Sequence, residues 1–240
     1  MSLTATDREL TLAAHRPPAK REQAVELLVF LFLVMPSMLL SLAVVRQGGV
    51  SFVIAALAAI FRDLGLVSLI VFFLSRNAEP VGRIGWSLKG AGREVLLGIA
   101  LFPAIFFGTA YMDQALVRAG LSAPSTPLPS FLDARLPSEY LLATVLVAVV
   151  AVAEETIFRG YLMLRLTAIT RSPAFAALAS AVIFSVGHGY EGMARVVTVG
   201  TMGLVLAILY LWRGNLVAAV CVHFLQDFLS IVLLPLAGAK

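Results

Sequence analysis

The sequence predicts an all-α fold: a polytopic transmembrane helical bundle of about seven spans, with a polar cavity among the last four. Three observations lead there. Apolar residues make up 60% of the 240 and charged residues only 13%, where a soluble domain carries about 25% charge. The apolar residues fall in long runs parted by short Gly-, Pro- and Arg-bearing loops, and mean hydropathy is +0.95. The charges that do enter those runs gather in a few short motifs.

Taken in order, residues 1–23 are polar and mixed in charge, and read as a cytoplasmic tail that holds His15. They lack the apolar core and small-residue cleavage site of a secretory signal, so the first span is expected to direct insertion itself. Residues 24–240 then form a single transmembrane domain. Its first span covers about 24–45, with Pro36 a predicted kink. Gly48 and Gly49 turn into the second, about 50–74, which Arg62-Asp63 interrupts; their adjacency suggests mutual or cavity-facing neutralisation. A basic loop leads to the third span, about 94–116, kinked near Pro103. Residues 119–137 carry four prolines and read as an irregular loop. The fourth helix, about 138–167, is longer than a bilayer needs. Ser172-Pro173 caps and starts the fifth, which Gly187-His188-Gly189 breaks. The sixth spans about 193–212, and Arg213-Gly214-Asn215 turns into the seventh, ending near Pro235.

Seven alternating spans sort the basic residues by side. The tail, the Arg76–Arg93 loop, Arg165, Arg171 and Arg213 collect on one side, which the positive-inside rule makes cytoplasmic. The formal charge of +4 is thereby assigned to topology. Nucleic-acid binding is excluded, because no dense basic patch with interleaved aromatics occurs. A single cysteine, Cys221, rules out an internal disulfide.

The fourth helix carries the stretch Ala153-Glu154-Glu155-Thr156-Ile157-Phe158-Arg159-Gly160. A charge near mid-bilayer costs roughly 2.5–3.5 kcal/mol, so three charges within six residues mark a site. Residues four apart share a helical face, which pairs Glu155 with Arg159 and leaves Glu154 on another face without a local partner. An unpaired carboxyl at low dielectric is suited to general acid or base work. The three histidines include two in apolar spans: His188 closes the fifth, and His223 shares a face of the seventh with Asp227. Intramembrane ionisable groups face the bundle interior, so Glu154, His188, His223 and Asp227 are expected to converge. One difficulty stands beside this. Glu154 lies some 20 Å from the outer end of its helix (about 1.5 Å per residue), whereas His188 would sit at the outer end of the fifth span.

Together, Glu154-Glu155-xxx-Arg159, Phe184-xxx-His188 and His223-xxx-Asp227 resemble the three ordered motifs of the CPBP intramembrane proteases. That family includes type II CAAX prenyl endopeptidases and bacteriocin-processing or immunity proteins. The resemblance covers about 138–230, the expected catalytic core. It implies that Glu154 with His188 activates a water against a peptide carbonyl. It also implies that His223 and Asp227 sit at the developing oxyanion, with Glu155 and Arg159 as supports. An ionised Asp227 cannot donate a hydrogen bond; the expectation is that it holds His223 as a donating imidazolium.

One carboxylate and two histidines also match the ligand set of catalytic zinc sites. If a metal is bound, Glu154, His188 and His223 are its ligands; the reading preferred is metal-free, and no cofactor is firmly implied. The expected partners are the lipid bilayer and a membrane-embedded or membrane-associated protein or peptide substrate. Ala- and Arg-rich usage points to a bacterial cytoplasmic membrane. A non-proteolytic scaffold or immunity-type protein with the same fold is the alternative, and a proton-coupled carrier ranks third because no inverted repeat is visible.

Overall fold

The computed structural model describes residues 19–47, 51–123 and 134–238, and of residues 36–47 the helical backbone alone. His15 and most of the expected tail, the Pro36 kink, the Gly48-Gly49 turn and the proline-rich stretch 124–133 lie outside what is described. Among the described residues there is no strand, and seven principal helices follow one another. They are α1 (Lys20–Gln47), α2 (Phe52–Arg76), α3 (Ala91–Arg118), α4 (Pro137–Thr170), α5 (Pro173–Val186), α6 (Met193–Arg213) and α7 (Val217–Gly238).

Five of these, α2, α3, α4, α6 and α7, are long and apolar enough to cross a membrane. α5 is not. Its 14 residues reach only about 21 Å at 1.5 Å per residue, against about 30 Å of hydrocarbon. The fifth element is therefore shorter than the full span expected of it. Its start follows from local chemistry: the Ser172 hydroxyl accepts from the Phe175 N–H at 3.2 Å, with Pro173 in the first turn. Pro137 opens α4 in the same way, and the Glu139 carboxylate accepts from the backbone N–H groups of Arg135 and Leu136. α3 runs through Pro103 without a break.

The helix ends alternate as the basic residues do. Lys20 donates to the Ile169 carbonyl, Arg213 pairs with Glu94, and Arg165 lies between Glu26 and Glu79. At the opposite end, Ser122 meets the backbone of Met193 and Ala194. α4 is the axis. Over Glu155–Leu162 it widens into a π-helix in which all eight residues are buried. Phe30 and Phe73 close on Tyr161 (ring centroids 5.2 and 6.3 Å), and Phe184 meets Phe158 edge-on at 5.0 Å.

Lipid is as apolar as leucine, so helices in a bilayer associate through close packing of small residues. Ala177, Ala181, Gly200, Gly203 and Ala207 let α5 and α6 approach closely. The segment between α2 and α3 folds in beneath the π-helix. Ile84 is fully buried, and a Cβ on Gly160 would stand 2.8 Å from the Ile84 carbonyl.

Candidate functional site

The site forms where the wide turn of α4 meets α7. Glu155 Oε1 accepts from Arg159 Nη1 at 2.8 Å, the pairing that helical spacing predicts. The same oxygen lies 2.8 Å from His223 Nδ1 on α7, a contact across 68 residues that helical spacing gives no sign of. Arg159 Nη2 donates to the Gly203 carbonyl at 3.2 Å. Gly203 is needed there, because a Cβ would stand 3.1 Å from both Arg159 Nη2 and the Phe184 ring. Glu155, Arg159 and His223 are all 3% exposed or less, so this trio is a closed bracket fixing one imidazole.

The other nitrogen of that imidazole faces the open side. His223 Nε2 lies 3.7 Å from Glu154 Oε2 and 3.4 Å from Asp227 Oδ2, both ion-pair distances. The Glu154 and Asp227 side chains are 17% and 25% exposed, in contrast to the bracket behind them. Just after Asp227, α7 also turns π-helical over Phe228–Leu233. Both acid-bearing helices thus change winding beside their acids, where such distortions commonly accompany function.

His188 reaches this region because α5 is short. α5 and α4 have neighbouring ends at Pro173 and Thr170, and Phe184 packs on Phe158; four residues further, the chain is level with Glu154. The Phe184 ring touches both imidazoles, with centroids 5.0 Å from His188 and 6.0 Å from His223. His188 Nδ1 turns to the Phe184 carbonyl at 3.2 Å, and its ring stacks toward Tyr190. The mismatch in depth disappears because α5 lies alongside the second half of α4 and ends level with Glu154. Among the described residues His188 makes no direct bond to Glu154, although each lies in the other's electrostatic field.

Two further features border the site. Arg62 Nε donates to Asp63 Oδ1 at 2.8 Å, the mutual neutralisation their adjacency predicts. Packing sets this part of α2 beside α4, with Ala56 and Ala143 in one core cluster and Phe73 stacked on Tyr161. From the other side, the Trp86 indole donates to the Thr156 hydroxyl at 2.9 Å, tying the α2–α3 segment to the residue after Glu155.

The donor arrangement bears on the zinc alternative. His223 Nδ1 is engaged by Glu155 and His188 Nδ1 by its own helix, contacts that a metal-ligating histidine also makes through its second nitrogen. Among the described residues no three His, Cys, Asp or Glu side chains converge in a metal-holding geometry. No step below passes through a metal.

The fold and this site define a helical membrane protein with a carboxylate–imidazole centre inside the bundle. The family model of the Rce1-like type II CAAX prenyl endopeptidases matches residues 136–229, the segment that carries all three motifs. That match supports a CPBP-type protease reading of this segment. No curated protein and no solved structure matches the chain.

Proposed function

We propose that this protein is an intramembrane endopeptidase that hydrolyses a peptide bond of a membrane-associated protein or peptide. The observation that carries the reading is the gathering of Glu154, His223 and Asp227 on the open side of a buried Glu155–Arg159 bracket. Amide hydrolysis inside a membrane needs a sequestered water, a base and donors fixed before charge develops. Glu154 takes a proton from water, assisted by His188, as the new C–O bond forms and the carbonyl π pair moves onto oxygen. His223 and Asp227 line the oxyanion site, with the imidazolium Nε2–H as donor and Asp227 holding the charge on the ring. Collapse breaks the C–N bond, and Glu154 returns its proton to the leaving amine.

The bilayer is the partner of the apolar surface, and the N-terminus is cytoplasmic in a bacterial cytoplasmic membrane, in keeping with the basic residues on that side. The mechanism runs without a metal; stoichiometric zinc in active, chelator-washed protein would replace it with a zinc hydrolase. The deciding experiment compares new protein termini in host membranes carrying wild type or Glu154→Gln at matched levels. Fragments that appear with wild type alone are expected. Identical termini in both membranes would leave a scaffold or immunity role as the better reading.

A further inference from the structure

α6 begins without a cap of its own. Gly192, the residue before it, has no side chain to accept from the free N–H groups that open a helix. The acceptors come instead from the chain just beyond α3, 71 residues before Met193. Ser122 Oγ accepts from the Met193 N–H at 2.9 Å, and the Ser122 carbonyl accepts from the Ala194 N–H at 3.1 Å. Ala194 is fully buried, so its N–H depends on that carbonyl. Gly192 sits against the same oxygen. A Cβ there would stand 2.7 Å from it, and the φ of +93° is one that residues with a Cβ rarely adopt. A serine that supplies both acceptors meets a glycine that lets the two chains close.

This clasp holds the turn that carries His188. The His188 carbonyl accepts from the Glu191 N–H at 3.0 Å, and the Gly189 carbonyl from the Gly192 N–H at 3.4 Å. On the other side, the His188 N–H donates to the Ser185 carbonyl at 3.0 Å. Glu191 is tied forward to Arg195 on α6 at 3.0 Å. The bonded run therefore leaves no slack between the capped end of α6 and the imidazole. The ring is gripped within the same run, with centroids 5.0 Å from Phe184 and 6.4 Å from Tyr190, and Nδ1 on the Phe184 carbonyl. A carbonyl only accepts, so Nδ1 carries the hydrogen and the neutral ring keeps its lone pair on Nε2.

We propose that Ser122 and Gly192 are positioning residues for His188: the chain after α3 caps α6 from outside and so fixes where Nε2 stands relative to the water that Glu154 activates. Ser122 lies outside residues 136–229, and both residues act only through His188. This rests on the endopeptidase reading.

The test uses the full chain in proteoliposomes and a quenched-fluorescent farnesylated peptide ending in a CAAX sequence. If wild type spares this peptide but cuts a host-membrane protein, the appearance of that fragment is timed instead. Misplacing a reacting group by about 1 Å costs up to about 10²-fold. Gly192→Ala, which forces the clasp apart, is expected to lower kcat by about 30–100-fold with KM within about twofold. Ser122→Ala keeps the carbonyl contact and loses the hydroxyl, so about a five- to tenfold loss is expected on the same scale. Ser122→Thr restores an acceptor and should return to within about twofold of wild type. In a His188→Ala protein neither Gly192→Ala nor Ser122→Ala should cost more than about twofold, because the group they position is gone. Ser172→Ala removes the same kind of cap from α5 and measures a merely structural loss; its kcat should hold.

If Gly192→Ala does not fold, or His188→Ala leaves no measurable rate, the comparison of Ser122→Ala with Ser172→Ala decides. Equal kcat losses in those two, a loss confined to KM, full activity of Ser122→Ala or Gly192→Ala, or the same fold-loss with and without His188 would each overturn the proposal and leave the endopeptidase reading intact. A wild type that cleaves neither this peptide nor any protein of its host membranes would overturn both.

Discussion

Two clusters of buried charge among the described residues differ in how closed their ion pairs are. In the cluster near the start of α1, Arg165 Nη2 lies 2.6 Å from Glu79 and 3.2 Å from Glu26, with its guanidinium 5.0 Å over the Tyr161 ring. Asn77 donates to Glu26 at 2.8 Å, Arg83 pairs with Glu79, and Arg76 approaches Glu26. The side chains of Arg165, Glu26 and Glu79 are 4% exposed or less, and every acid has a guanidinium. The cluster around His223 is built from the same residue types, but Glu154 and Asp227 keep an exposed edge. A saturated cluster locks α1, α4 and the α2–α3 segment together. An unsaturated one, with Glu154 and Asp227 partly exposed, is what the proposed chemistry calls for.

Breaking the open cluster should stop turnover without unfolding the protein. Glu154→Gln is expected to remove at least the 10²–10⁴-fold that a positioned acid or base contributes. The unfolding midpoint in detergent should change little, since Glu154 is tied to its surroundings only at 3.7 Å. Cleavage rate and thermal unfolding of the same preparation check both halves.

The closed cluster should answer in the opposite way. Arg165→Met leaves Glu26 and Glu79 buried without their central cation, and removing one partner of a buried ion pair costs about 3–5 kcal/mol. Denaturation in detergent should register that loss, while the folded fraction keeps its specific activity. A stable but inactive Arg165→Met protein would erase the distinction between the two clusters.

Smaller changes sharpen it. Gly203→Ala presses on Arg159 Nη2 and Phe184 at 3.1 Å, an overpacking worth about 1–3 kcal/mol. Because Arg159 steadies the Glu155–His223 bracket, activity should fall along with stability. Trp86→Phe removes a single hydrogen bond to Thr156, worth about 1 kcal/mol. A small drop in unfolding midpoint with near-normal cleavage is expected; a large loss of cleavage would mean that the α2–α3 segment positions Glu155.

Much of the site was legible because charge inside an apolar helix is conspicuous, and because pairs four residues apart must meet. Glu155–Arg159 and His223–Asp227 follow from that spacing, as Arg62–Asp63 follows from adjacency. Contacts between helices carry no such sign. Glu155 read as the partner of Arg159, whereas the same oxygen also holds His223. His188 looked misplaced in depth because a helix of 14 residues was taken for a full span. For Arg62 and Asp63 the sequence left mutual and cavity-facing neutralisation open, and the structure shows the mutual pair.

By itself, then, the amino-acid sequence determined the all-helical class, the alternation of sides and the identity of the polar motifs. Hydrophobic run length, basic loops and helical periodicity are local properties, and each is written within a few turns of chain. Only the tertiary structure decided that His188 is level with Glu154 and which acid braces His223. Those depend on register between helices that are distant in sequence, set by small residues at close crossings and by rings packed across the core.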